Sequence, residues 1–363
     1  MKIVLAGGGT GGHVIPALAI AEELRNHGHE AAFVGTARGI ETRLVPKAGF
    51  PLHLVKVGAL NRVSLATRLR TLIDLPLSIF SAMRILRGFQ AQVVIGGGGY
   101  AAGPATIAAV LLGIPVVLFE PNVVPGFANR AVARYAANAA VHFEQTGKWF
   151  PRFEVTGVPV RPAFFALPAR QSPPPTLLVF GGSQGARALN RIVRECAGEL
   201  LRRIPDLKIV HQTGEREFAE LRQFYESAGI GVEAHAFLDD MAQRFADADL
   251  IVCRSGASTV AEIAAAGKCA LFVPFPGAAD DHQLRNAELL AQAGAALLIP
   301  ESELTGERFI NEVTALLRSS ERMSAMGAKA RALAHRDAAA HIAGMAISAA
   351  EKSMVRKSAT KSS

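Results

Sequence analysis

The sequence predicts an α/β protein made of two doubly wound, Rossmann-like parallel-sheet lobes facing each other across a cleft. Two glycine-rich elbows of one design sit far apart in it: Gly7-Gly8-Gly9-Thr10-Gly11-Gly12-His13 after the apolar run 3–6, and Gly181-Gly182-Ser183-Gln184-Gly185-Ala186-Arg187 after 177–180. A helix-forming stretch follows each elbow, so each should offer backbone N–H groups and the positive end of a helix dipole to an anion. Two such elbows, each opening its own run of alternating strand and helix patterns, imply a cleft that holds phosphates. With 363 residues, 50% apolar and 19% charged, the chain is long enough to bury two cores.

Lobe one is read from strand-like runs at 2–6, 31–35, 52–56, 93–95, 116–119 and 140–142, alternating with helical stretches. Near-continuous apolar runs of this kind mark strands covered on both faces. Residues 88–119 carry no charge, yet Gly96-Gly97-Gly98-Gly99, Pro104 and Pro115 break the stretch into strand, glycine loop, helix (104–112) and second strand rather than a membrane span. Gln171-Ser172-Pro173-Pro174-Pro175 is a stiff connector. Lobe two restarts the pattern at 176–180, 208–212, 233–236, 250–253 and 270–273. The domains are accordingly 1–162 and 163–336, with helices from about 307 and a basic tail, 353–363, expected to be disordered.

A net charge of +8 suits anionic partners, whereas scattered basic residues and only 6% aromatic content speak against nucleic acid. Cys196, Cys253 and Cys269 form neither a disulfide framework nor a zinc spacing, and a reduced cytosolic setting follows. The apolar start is too short for a signal peptide before the glycines interrupt it, so export is not expected.

Gly7, Gly9 and Gly12 match the Gly-x-Gly-x-x-Gly fingerprint, but the second strand ends Phe33-Val34-Gly35-Thr36 without the acidic residue that a dinucleotide ribose wants. A nicotinamide or flavin cofactor is thereby disfavoured; a ligand-free turn is the plain alternative. His13 opens the following helix, where the dipole favours a neutral imidazole able to act as general base, or where it caps the loop. In Arg254-Ser255-Gly256-Ala257-Ser258-Thr259-Val260-Ala261-Glu262, the pair Thr259 and Glu262 fits a capping box. Alternatively, residues 255–259 lie near phosphate and Glu262 accepts hydrogen bonds from a ribose diol. Asp280, Asp281, His282, Gln283 and Asn286 follow a strand's carboxyl end and suit sugar hydroxyls; they lack a metal-ligand spacing. Glu120 and Asn122 end a lobe-one strand in the same way or form an ordinary turn.

Residues 60–89 combine Leu65, Leu69, Leu72, Ile73, Leu77, Ile79, Phe80 and Met83 with Arg62, Arg68, Arg70, Arg84 and Arg87, and Pro76 splits the segment. Apolar bulk ringed by arginine suits a surface seated on an anionic membrane, and it equally suits a helix packed within lobe one.

Together these segments resemble the MurG family of glycosyltransferases, which add N-acetylglucosamine to undecaprenyl-diphospho-N-acetylmuramoyl-pentapeptide (lipid I) to make lipid II. Seven motifs in one order carry the resemblance: 7–13 with Pro16-Ala17-Leu18-Ala19, Gly96-Gly97-Gly98-Gly99-Tyr100, Gly157-Val158-Pro159-Val160-Arg161, 181–186, Phe237-Leu238-Asp239-Asp240-Met241, 254–262, and Asp281-His282-Gln283 with Asn286-Ala287. The resemblance implies the GT-B fold, a helix at about 337–352 returning to the first lobe, and a donor site for UDP-N-acetylglucosamine. That site would comprise Ser183, the Leu238 backbone, Ala257, Ser258, Thr259, Val260, Ala261, Glu262 and Gln283, completed by Thr10, Gly11, Gly12, Asn122 and Arg161. Gly9, Thr10, Gly11, Gly12 and His13 with Gly98, Gly99 and Tyr100 would meet the acceptor diphosphate. Phe119-Glu120-Pro121-Asn122 replaces the family's usual His-Glu-Gln-Asn, and Gly157-Val158 its Gly-Asn, so roles of the missing residues are not carried over.

The implied reaction is an inverting attack of the acceptor C4 hydroxyl, with His13 as first candidate for the base and Glu120 as second. No cofactor is required and no metal site is assigned, though stimulation by a divalent metal stays open. The resemblance also implies an enzyme peripheral to the cytoplasmic face of the inner membrane, with cell-wall synthesis and division proteins as partners. Rival readings are a UDP-N-acetylglucosamine 2-epimerase of the same fold and a non-catalytic two-lobe solute-binding protein. The first has no use for an arginine-ringed apolar surface, and the second usually carries an export signal.

Overall fold

The computed structural model describes residues 1–9, 11–37, 39–57, 65–99, 101–168, 174–182 and 184–361, with backbone alone for 65–73, 360 and 361. The chain divides into two compact units, Met1–Val160 with Asp337–Ser363, and Arg161–Arg336.

The first unit holds strands β1 (Lys2–Ala6), β2 (Glu30–Gly35), β3 (Leu52–Leu54), β4 (Val93–Gly96), β5 (Val116–Glu120), β6 (Asn138–Val141) and β7 (Phe153–Val155). They pair in parallel in the order β3-β2-β1-β4-β5-β6-β7. Helices α1 (Gly11–Asn26), α2 (Glu41–Lys47), α3 (Leu65–Phe89), α4 (Ala102–Leu111) and α5 (Phe127–Val132) connect them. Strands β4 and β5 are buried along their whole length, which is why their sequences run apolar without alternation. Strand order reverses between β1 and β4, so the loops leaving these two strands flank the switch point where such sheets bind ligands.

Pro76 does not split α3, contrary to the expectation from sequence. Ile79, Ala82, Met83 and Leu86 pack into the unit's core and the helix lies against α4, so tertiary packing offsets the missing backbone donor. The alternative of packing within the unit thus holds for this inner face.

The second unit repeats the design with β8 (Thr176–Phe180), β9 (Lys208–Gln212), β10 (Val232–His235), β11 (Leu250–Cys253), β12 (Cys269–Phe272) and β13 (Leu297–Leu298), all parallel in the order β10-β9-β8-β11-β12-β13. Its helices are α6 (Arg187–Arg203), α7 (Glu215–Ser227), α8 (Met241–Asp247), α9 (Ala257–Ala266), α10 (His282–Gln292), α11 (Gly306–Leu317) and α12 (Ser320–Ala332). Its switch point lies between β8 and β11, beside the second glycine elbow and the Arg254 loop. The edge strands β7 and β13, three and two residues long, carry too little pattern to be read from sequence.

Helix α13 (Ala338–Lys361) belongs to the first unit and packs on α1, β4 and β5, burying Ile342, Ala343, Ala346 and Ala350. Helix α13 runs through Lys361, into the stretch 353–363 that the sequence reads as a disordered tail; residues 362 and 363 lie outside the described residues. Among the described residues no helix is long and apolar enough to cross a membrane.

Candidate active site

In the first unit the two glycine loops interlock. The Gly97 N–H donates to the Ala6 carbonyl at 2.8 Å, and a Cβ at Gly99 (φ +77°) would lie 2.6 Å from the Gly8 carbonyl oxygen. Only glycine fits there. His13, in the first turn of α1, lays its imidazole against Gly98, where a Cβ would meet Cε1 at 3.2 Å. The structure therefore brings Gly8 against Gly99 and His13 against Gly98, with Gly9, Gly11 and Gly12 lying between Gly8 and His13 in the chain. Thr10 and Tyr100 lie outside the described residues.

Two buried carboxylates shape this region. Glu41, the first residue of α2 and fully buried, accepts from the Gly9 N–H at 2.8 Å and from the Thr36 N–H and hydroxyl at 2.9 Å each. No local pattern singles Glu41 out in the sequence, since it lies six residues beyond the end of β2 at Gly35 and its partner Gly9 is distant in the chain. Glu120 is 2% exposed and accepts four hydrogen bonds: from the Asn122 N–H (3.1 Å) and Nδ2 (3.2 Å), the Gly126 N–H (2.9 Å) and Asn129 Nδ2 (2.9 Å). Burial raises its pKa against the pull of those donors. These four donors make Glu120 hold the 121–126 loop and Asn122 in place, and they occupy the lone pairs that a general base would turn to the acceptor.

In the second unit Gln212, 1% exposed at the end of β9, bridges two loops. Its Nε2 donates to the Gly182 carbonyl and its Oε1 accepts from the Leu238 N–H, both at 2.9 Å. A ligand contact from the Leu238 backbone must therefore use the carbonyl. Ser183 lies outside the described residues. Across the switch point, the buried Ser255 hydroxyl donates to the Gln283 carbonyl at 2.8 Å, and Gln283 Oε1 accepts from the Phe275 N–H at 3.0 Å. Arg254 ties the loop leaving β12 by donating to the Val273 (3.0 Å) and Pro274 (2.9 Å) carbonyls, and it pairs with Glu301 at 2.6 Å. Asp280 and Asp281 both sit at φ 51°, a strained conformation for non-glycine residues at the loop suggested for sugar contact.

Helix α9 begins at Ala257 with Gly256 as its N-cap, so Thr259 lies inside the first turn and the capping-box alternative falls. Helical periodicity also divides the run 257–262. Ala257, Val260 and Ala261 are buried side chains, so this part of the run offers a ligand its backbone. Glu262 instead stands 3.6 Å from the Arg161 guanidinium, with 18% of its side chain exposed. Burial pushes its carboxyl up to about 7, with Arg161 pulling the other way. The two residues, which the resemblance assigns to one donor site, thus form a pair.

On α3, Leu77 (69% exposed), Phe80 (58% exposed), Arg84 and Arg87 share an outward face, spaced three, seven and ten residues from Leu77. Arg62 lies outside the described residues, as do the side chains of Arg68, Leu69, Leu72 and Ile73.

Residues 3–141 match the glycosyltransferase family 28 N-terminal domain and residues 176–342 the glycosyltransferase family 28 C-terminal domain. The chain is 47% identical over 341 residues, 93% of each chain, to the UDP-N-acetylglucosamine--N-acetylmuramyl-(pentapeptide) pyrophosphoryl-undecaprenol N-acetylglucosamine transferase of Solibacter usitatus (strain Ellin6076). The crystal structure of Acinetobacter baumannii MurG superposes with a TM-score of 0.79 at 34% identity, covering 96% of this chain and 99% of that one. A UDP-GlcNAc 2-epimerase from Neisseria meningitidis bound to UDP-GlcNAc shares the fold alone, at 15% identity and a TM-score of 0.67 over 96% of this chain and all of that one. With both of its domains matched and near-full-length relatives of this similarity, the chain belongs to glycosyltransferase family 28.

Proposed function

We propose that the protein transfers N-acetylglucosamine from UDP-N-acetylglucosamine to the C4 hydroxyl of N-acetylmuramic acid in undecaprenyl-linked lipid I, giving lipid II for peptidoglycan. The observation that carries this reading is a glycine elbow at the switch point of each sheet, in a chain nearly half identical to a transferase of that name.

In the second unit the Gly181-Gly182 elbow and the start of α9 receive the donor diphosphate, and Glu262 with Arg161 receives the ribose. In the first unit the paired glycine loops receive the acceptor diphosphate. His13 takes the proton of the C4 hydroxyl as its oxygen attacks the anomeric carbon from the face opposite the leaving group. The C1–O bond to phosphate breaks with inversion, the electron pair leaves on UDP, and helix dipoles take up the charge. Because the acceptor is lipid-linked, the enzyme works at the cytoplasmic face of the inner membrane. The outward face of α3 meets anionic lipid there, and cell-wall synthesis and division proteins are its protein partners.

Incubation with radiolabelled UDP-N-acetylglucosamine and a short-chain lipid I analogue should give labelled lipid II analogue. Donor alone should stay unchanged; epimerised donor without transfer would support the rival enzyme of this fold.

A further inference from the structure

The first unit has a Rossmann-type elbow whose space is already taken. The Glu41 carboxylate lies under it, with Oε1 only 2.2 Å from where a Cβ at Gly8 would be, and 2.7 Å or less separates the side chain from a Cβ at Gly35 or Gly39. These three glycines leave room for one carboxylate. That carboxylate holds the Gly9 N–H at 2.8 Å, so an anionic ligand cannot share this donor, and a dinucleotide bound in the usual way would meet a buried negative charge. The Gly8 carbonyl, fixed by the same arrangement, is the group against which Gly99 of the second loop closes.

Building on the proposed transfer reaction, we infer that Glu41 is the positioning residue of the acceptor half. By holding Gly9 inward it sets which backbone N–H groups face the acceptor diphosphate, seats the two glycine loops against each other and so places His13, and it withholds the Gly9 N–H from a nucleotide phosphate. Thr36 works through it, its N–H and hydroxyl steering the carboxylate towards Gly9. Neither residue touches substrate.

The test uses the full-length enzyme with a water-soluble lipid I analogue. Glu41→Gln puts an amide N–H₂ where the carboxylate accepts from N–H groups, and should lower kcat/KM for the acceptor at least tenfold. Affinity for UDP, measured by calorimetry without acceptor, should stay within twofold. Thr36→Val, which removes one donor, should cause a smaller loss of the same kind, and the double variant should be no worse than Glu41→Gln. Unchanged acceptor kcat/KM in Glu41→Gln overturns the inference, as do multiplicative losses in the double variant or a loss of UDP affinity that tracks melting temperature. Where Glu41→Gln fails to fold, Thr36→Val decides, with unchanged acceptor kinetics overturning it. A wild-type enzyme that transfers no sugar would remove the function reading itself, whereas a normal Glu41→Gln enzyme removes only this inference.

Discussion

Burial sets the charge state of Glu262. Its carboxyl rises from an ordinary 4.5 to about 7, so the folded chain binds that proton more tightly than the unfolded one. The contribution to stability is full below pH 4.5 and is lost as pH climbs towards 7. With the ribose diol on Glu262, as proposed, donor binding should have the opposite slope, because the diol needs the ionised form: UDP affinity should fall about tenfold from pH 8 to pH 6. Glu262→Gln should flatten that dependence, weakening UDP by about 1.5–3 kcal/mol at pH 8 and by about 1.4 kcal/mol less at pH 6, as read by calorimetry. A variant that keeps the wild-type pH profile would free Glu262 of this role. His13 and Glu120 separate by a similar contrast. Removing a general base typically slows turnover about 10²–10⁴-fold, so His13→Ala should lose kcat at an unchanged melting temperature. Glu120→Gln leaves buried donors without their acceptor and should lose about 1–3 kcal/mol of stability in a thermal melt. A stable Glu120→Gln protein with a His13→Ala-like rate would exchange the two assignments.

At the scale of the element, α3 divides its labour around its axis. Ile79, Ala82, Met83 and Leu86 secure it to the core, while Leu77, Phe80, Arg84 and Arg87 remain outside. From sequence the membrane-facing and core-packing readings of this segment compete; on the helix the core-packing residues take one face, and the exposed residues proposed to meet lipid take another. Each arginine near an anionic surface contributes about 1 kcal/mol, and the attraction weakens with salt. Phe80→Ser with Arg84→Glu and Arg87→Glu should abolish co-sedimentation with anionic vesicles without lowering the melting temperature. Reaction with membrane-borne acceptor should slow while reaction with a soluble analogue is spared; persistent vesicle binding in the folded variant would rule out this face.

For the whole molecule, α13 returns the end of the chain to the first unit. Ending the chain after Asp337 would strip Ile342, Met345, Ala346 and Ala350 from that core, and each large side chain among them contributes about 1.5–3 kcal/mol. Calorimetry should show a greatly destabilised or insoluble protein. Ending it after Lys352 removes mostly exposed residues, including Met354 (40% exposed) and Val355 (67% exposed), and should cost about 1 kcal/mol or less. Equal behaviour of the two truncations would contradict the packing. The sequence by itself determined the alternation of buried strands with helices, the two glycine elbows and the family, because apolar runs and glycine-only turns are local demands of burial and backbone sterics. The longest strands are legible this way, whereas β7 and β13 are too short to show a period. Tertiary structure decided the strand order that sets each elbow at a switch point, the pairing of Glu262 with Arg161, the closing of the capping-box alternative and the use of Glu120 as a loop anchor. It alone revealed Glu41 under Gly9 and Gln212 between Gly182 and Leu238. A polar side chain's role depends on which distant donors folding brings within about 3 Å of it, and no local pattern records those partners.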